Sequence, residues 1–333
     1  MGMLLAGLVC LTGCYDDYVL DYDYSGVYVA YQYDLRTFVV GEDPHFDFTV
    51  ALAGVLENRR DRALDVVLDP GLVTGDLSGF AEGSCAAFTA LDGMLDKAPL
   101  GTLSQGYVTT AFTGVSGLTP LPEAYYTVSG LSGMKIAKGE HTAVATVRMQ
   151  EAMLDDPAAF TAGYALGFQV RSADADTLLR EKSFAVIGVR CENKFYGNWY
   201  HGGRTTVMDG DDLVSESVYE TTVPQAEADL CILKTLDGTR VLSDKVGDAD
   251  GSLVLTFAAD GTVAVTSPDV TILSSEGSRF NGARLLQDRQ IYLHYTYETA
   301  DGALAYVTDT LTFRNRIRDG VNEWQDENPE NYR

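Results

Sequence analysis

The chain has 333 residues, of which 46% are hydrophobic and 22% charged, proportions that exclude a disordered or collagen-like protein. Its 24 Lys and Arg stand against 48 Asp and Glu, and the formal net charge of −24 repels nucleic acid and anionic lipid headgroups. With 19 Tyr, 33 Gly and only 9 Pro, the composition reads as β structure joined by tight turns.

Residues Met1 to Thr12 are almost wholly apolar or small. The run is shorter than the about 20 residues that span a bilayer, and it suits a signal-peptide core. It ends in Leu11-Thr12-Gly13-Cys14, which resembles the lipobox of bacterial lipoproteins. The resemblance implies cleavage before Cys14 and acylation of that residue. Several acyl chains on one cysteine anchor stably, at about 0.8 kcal/mol per buried CH₂. No Lys or Arg precedes Arg36, so the positive start of the signal is expected upstream of Met1. The acidic pair Asp16-Asp17 looks like the export signal of outer-surface lipoproteins in Bacteroidota, or else belongs to an ordinary acidic tether. Residues 1–13 are therefore expected to be the signal peptide and 14–24 a lipidated tether.

Phe46, Phe48, Val50 and Leu52 alternate with Asp47, Thr49 and Ala51, the period of a half-buried strand. Tyr164 to Arg171 alternates in the same way, and 64–68, 142–149 and 184–189 are further strand candidates. Helical periodicity is confined to Ala86 to Asp96 and to a turn near Glu151 to Phe160, where Pro157 follows two aspartates. Residues 71–122 are rich in Gly, Ser and Thr and read as long loops decorating the first domain. After residue 190 the pattern changes, since six of seven Asp-Gly pairs lie there, at 209, 237, 250, 260, 301 and 319. Asp-Gly between alternating strands signals a hairpin, because both positions tolerate positive φ. Leu253, Leu255 and Phe257 lead into Asp260-Gly261, and Val263 and Val265 lead out. Ile291 to Tyr297 leads into Asp301-Gly302, and Ala305, Val307, Leu311 and Phe313 line a long return strand. Successive hairpins make an up-and-down meander, and closing it into an eight-stranded barrel removes its edges.

Several stretches together resemble a family. They are Tyr33-Asp34-Leu35-Arg36-Thr37-Phe38-Val39-Val40-Gly41-Glu42, Ala51-Leu52-Ala53-Gly54-Val55, Asn58-Arg59-Arg60-Asp61-Arg62, Leu121-Pro122-Glu123-Ala124-Tyr125-Tyr126-Thr127-Val128 and Ile136-Ala137-Lys138-Gly139. These are similar to the Ig-like N-terminal domain of Bacteroidota surface lipoproteins from polysaccharide-utilisation loci. Asn193-Lys194-Phe195-Tyr196-Gly197-Asn198-Trp199-Tyr200 and Leu311-Thr312-Phe313-Arg314-Asn315-Arg316 look like the lipocalin-like domain that often follows it. The resemblance implies an all-β fold: an Ig-like β-sandwich over 25–190, then a lipocalin-like β-barrel over 191–333. It also implies an outer-membrane, cell-surface location, with outer-membrane lipid held through Cys14, and neighbouring uptake-complex proteins as partners. Two departures stand out: the stretch from Cys85 to Thr119 looks longer than the usual spacing, and the glycosidase catalytic domain that the same Ig-like type precedes in some endo-β-N-acetylglucosaminidases is not expected here.

The four His, at 45, 141, 201 and 294, have no HExxH spacing, and no Gly-x-Ser-x-Gly, Walker-type loop or GxGxxG is present. The sequence thus points to no catalytic residue, metal or cofactor, and the protein is expected not to be an enzyme. Asp248-Ala249-Asp250-Gly251 is a fragment of a calcium-loop pattern that lacks its far ligand, and it reads as a turn. Cys85, Cys191 and Cys231 remain after processing, an odd count read as buried thiols. Aromatic rings are the best ligand-binding candidates, since sugar rings have apolar faces that stack on flat aromatic surfaces. Tyr196, Trp199 and Tyr200 cluster beside His201, and Trp324 stands in a polar segment. Trp199 and Tyr200 must face opposite ways on a strand. Trp324 either caps the barrel end or forms a binding platform. The function expected is capture of glycan, a neutral or cationic one given the charge. The alternative is a structural or adhesive lipoprotein, or a barrel holding a small apolar ligand.

Overall fold

The computed structural model describes residues 24–80, 85, 107–219 and 230–326. Cys14, the expected signal peptide, nearly all of the expected tether and the helix candidate at 86–96 lie outside them. The described residues form an all-β protein whose only α-helical turn is Tyr107–Ala111.

The first half contributes β1 (Gly26–Tyr28), β2 (Tyr33–Val40), β3 (His45–Ala53), β4 (Arg62–Leu68), β5 (Thr119–Pro120), β6 (Tyr126–Ser129), β7 (Lys135–Ile136), β8 (Thr142–Met149), β9 (Tyr164–Ala173), β10 (Thr177–Leu178) and β11 (Phe184–Asn193). They make two sheets, in the order β10-β1-β3-β8-β6 and β2-β11-β9-β4-β7, with β5 added beside β9. The apolar positions of β3 turn inward as the alternation requires, leaving Phe46, Phe48, Val50 and Leu52 buried. Phe48 stacks on Phe168 of the facing sheet at 4.2 Å between ring centroids. Burying such a side chain contributes about 1.5–3 kcal/mol.

Strand β11 is buried at almost every position, not at every second one. Its sheet is covered on both sides, which is what a continuous apolar run demands. The outer cover is a third cluster of Leu35, Phe80, Val108, Ala111 and Leu118. Part of the 71–122 segment is therefore a packed layer, where the composition read only as loops. The predicted helix start near Pro157 is a pair of 3₁₀ turns, Glu151–Asp155 and Pro157–Phe160, the second capped by Asp156. Strand β11 also runs through the expected 190/191 boundary to Asn193, because Cys191 to Asn193 continue its parallel pairing with Phe38 to Val40.

The second half supplies β12 (Gly197–Asp209), β13 (Asp212–Tyr219), β14 (Leu230–Thr235), β15 (Arg240–Val246), β16 (Ala249–Phe257), β17 (Val263–Thr266), β18 (Thr271–Ser274), β19 (Arg279–Phe280), β20 (Gln290–Glu298), β21 (Leu304–Arg318) and β22 (Val321–Glu323). The order is β17-β16-β15-β14-β12-β21-β20-β18, with β13, β19 and β22 as additions beside β12, β20 and β21. It is an up-and-down meander whose early strand β12 pairs along its length with β21. The ring is completed where Val263 N donates to Ser278 O and Phe280 N to Gly261 O, at 3.0 and 2.8 Å. Its interior is filled by side chains, among them Trp199, Leu233, Leu255, Leu293 and Phe313. Most Asp-Gly pairs do join hairpins. At 319 both turn residues are left-handed, with φ of 52° for Asp319 and 80° for Gly320. The pair at 250 does not: Asp250 and Gly251 lie inside β16, and the turn before it uses Gly247, with φ of 58°.

Among the described residues no strand of one half pairs with a strand of the other. The halves are instead joined by charge. Glu42, just past β2, accepts from Arg316 Nη1 and Nη2 at 3.0 and 2.8 Å and from Arg289 Nη2 at 2.9 Å. Both arginines are buried, and Arg316 also donates through Nε to Glu323 at 2.6 Å. Burial alone would raise the Glu42 carboxyl, but the charges and hydrogen bonds of Arg316 and Arg289 prevail and hold it at about 2.

Candidate functional site

The four aromatic candidates fall into different environments. Trp199 is fully buried inside the barrel, where its Nε1 donates to Phe195 O at 3.0 Å and its ring meets Phe313 edge-on. Tyr196 is buried too, under the Arg316 guanidinium at 5.3 Å, with its hydroxyl donating to Ile317 O at 3.3 Å. Neither ring can serve as a binding surface, which corrects their candidacy. For Trp199 the cause is strand parity, since it shares the inward face of β12 with His201; Tyr196, just before that strand, is covered by Arg316. Tyr200 faces outward, half-buried, with the Arg314 guanidinium 5.8 Å from its ring.

Trp324 is different. It is 56% exposed, although the backbone on both sides of it is held. Before it, β22 pairs with β21, Asn322 accepts from Asn315 Nδ2 at 2.7 Å, and Glu323 holds Arg316 and Arg318. After it, Asp326 N donates to Gln287 Oε1 at 3.1 Å, and the Asp326 carboxylate accepts from Leu286 N at 2.8 Å. A flat apolar ring thus stands in water on a held backbone, with polar residues before and after it in the chain. Val321 on the same short segment is 51% exposed, and Trp324 is not among the residues packed against the barrel's apolar core.

A second constellation lies inside the barrel. Asp309 accepts from Tyr295 OH at 3.4 Å and from Tyr219 OH, and His201 Nε2 lies 3.4 Å from its Oδ2. Tyr219 is also within 3.3 Å of Thr205 Oγ1, and Tyr295 OH accepts from Gly247 N at 2.6 Å. Burial, then the Asp309 charge, pushes both phenols well above the ordinary tyrosine range. Glycine is required at Gly203, where a Cβ would stand 2.5 Å from Asp309 Oδ1. Phenols that hold their protons so firmly suit a brace between β13 and the barrel wall. Asp309 was legible in principle, since it shares an inward face with Val307, Leu311 and Phe313.

Among the described residues no group of three or more His, Cys, Asp or Glu side chains converges as metal ligands. Asp250 of the calcium-like fragment instead meets Lys245 Nζ at 3.0 Å. Cys85, Cys191 and Cys231 are all buried, and burial pushes the Cys191 and Cys231 thiols up to about 12. A cleft of about 400 Å³ lies between the two halves, beside the 3₁₀ turn at Pro157–Phe160 and the β14–β15 turn.

No family model and no curated protein matches the chain. Solved structures do. A Bacteroides ovatus protein of unknown function aligns with a TM-score of 0.61 and 19% identity over 92% of this chain and 99% of its own. That likeness shows the fold. An auxiliary nutrient binding protein from Bacteroides thetaiotaomicron aligns over 88% of this chain and 96% of its own, with a TM-score of 0.38 and 12% identity.

Proposed function

We propose that this protein is a non-catalytic surface lipoprotein that captures glycan for a neighbouring polysaccharide uptake system. The observation that carries the reading is Trp324, an exposed indole on a segment pinned at both ends. Because the backbone that carries the ring is already held, no loop has to be ordered when a sugar stacks on it. Burial of Trp199 and Tyr196 leaves Trp324 as the main platform and Tyr200 as a secondary one. With few stacked rings, affinity falls in the roughly micromolar to millimolar range. The net charge of −24 favours a neutral glycan over an acidic one, so binding varies little with salt. The lipobox-like Leu11-Thr12-Gly13-Cys14 supports acylation at Cys14 and an outer-membrane, cell-surface site. The packed barrel interior gives the alternative of an apolar ligand held there no support.

A glycan array probed with the pure protein tests the reading. Retention on neutral polysaccharide without release of reducing ends supports it. Reducing-end release abolished by a single Asp or Glu substitution would replace it with a hydrolase.

A further inference from the structure

We infer that the cleft between the sandwich and the barrel is a second saccharide site that takes a single ring or a chain end. The inference rests on the glycan reading for its ligand class, but its residues are separate from Trp324. The cleft of about 400 Å³ falls within the roughly 300–1,000 Å³ usual for small-molecule sites, which favour junctions of this kind.

Both of its walls are preset turns. On the sandwich side, Asp156 accepts from Ala158 N at 2.9 Å and from the hydroxyls of Tyr125 and Tyr164, fixing Pro157–Phe160. On the barrel side, Asp237 accepts from the backbone N of both Thr239 and Arg240 at 2.8 Å. Asn193 Nδ2 in turn holds Asp237 O at 3.0 Å. The walls meet at Gly238, where a Cβ would lie 3.6 Å from Val40 and 3.8 Å from Phe160, an ordinary packing distance. The cleft therefore sits between surfaces that hold their shape before a ligand arrives.

Its lining matches one ring chemistry. Leu154, Phe160 and Leu236 offer an apolar floor, and Leu236 is 40% exposed. Asp155 adds a carboxylate that forms no ion pair among the described residues, and Thr239, whose hydroxyl already donates to Asp237 at 3.0 Å, adds an acceptor. Arg240 engages Asp237 through Nε at 2.6 Å, which leaves its terminal amino groups for a ligand. An acceptor and a planar donor beside an apolar floor suit adjacent hydroxyls on a ring with an apolar face. Arg240 and Asp237 balance each other, so the remaining Asp155 charge disfavours an anionic sugar.

The test uses methyl-resolved NMR of the full chain, with methyl glycosides of glucose, galactose, mannose and N-acetylglucosamine as probes at millimolar concentration. The expected result is saturable movement of the Leu154 and Leu236 methyls with at least one glycoside. Asp155→Ala should weaken that binding at least tenfold, and Trp324→Ala should leave it unchanged. Saturable shifts that survive Asp155→Ala at full affinity overturn the assigned polar contact and with it the site. No methyl movement with any probe, while polysaccharide retention persists and is lost in Trp324→Ala, overturns the cleft and spares the proposed function. No movement and no retention overturn both.

Discussion

Replacing Glu42 by Gln keeps the shape of the side chain that joins the two halves and removes its charge. The Glu42 carboxyl is held at about 2, against an ordinary 4.5, by Arg316 and Arg289 acting against its own burial. That difference corresponds to about 3 kcal/mol of stability, in line with the roughly 3–5 kcal/mol lost when a buried ion pair is broken from one side. Because the folded-state value is depressed, the stabilisation is present above pH 4.5 and is lost as the pH falls toward 2. Glu42→Gln lacks it at every pH. Urea unfolding of both proteins at pH 7 should therefore differ by about 3 kcal/mol, and the gap should shrink between about pH 4.5 and 2, where the native carboxyl also becomes neutral. A gap under about 1 kcal/mol at neutral pH would refute the reasoning, since surface ion pairs contribute about that much. So would a gap that does not narrow in acid.

Asp319, in the left-handed turn after β21, has its carboxyl pushed up to about 6, first by desolvation and against the opposing pull of Arg36. A raised carboxyl destabilises the fold once it ionises, so Asp319→Asn should gain at most about 3 kcal/mol at pH 8, fading between pH 6 and 4; no gain at pH 8 would contradict this. Trp199→Ala should cost about 3–5 kcal/mol by calorimetric or urea unfolding, as expected for emptying a packed core position, whereas Trp324→Ala should stay within about 0.5 kcal/mol of the parent. Labelled palmitate should enter the parent expressed with its signal in a Gram-negative host and fail to enter Cys14→Ala; label in the variant would remove the lipoprotein assignment.

The alternating strands were readable from the chain because one face of each meets a core and the other meets water. Phe46 to Leu52 and Ile291 to Tyr297 show this plainly. Hairpins were readable where Asp-Gly must supply positive φ, as at 260 and 301, and misread at 250, where Gly247 turns the chain first. The packed layer over β11 was hidden because its apolar residues, such as Phe80 and Val108, are scattered through a Gly- and Ser-rich stretch. Trp199 drew attention by residue type, yet its direction depends on which face of β12 points inward, and that is set by strands far along the chain. The Glu42 contacts reach Arg289 and Arg316 across 247 and 274 residues, a separation at which no local pattern operates. Trp324 was legible as an aromatic among polar neighbours, but the hold on its backbone depends on Gln287 and Asp326 meeting across 39 residues.

Affinity electrophoresis through gels containing neutral polysaccharides, run for the parent and for Trp324→Ala, tests glycan capture at the exposed indole most directly. The parent should be retarded by at least one polymer, equally at low and high salt, and Trp324→Ala should lose most of that retardation while unfolding at the same urea concentration as the parent. Equal retardation of the two proteins, or no retardation of either across a broad neutral panel, would contradict it.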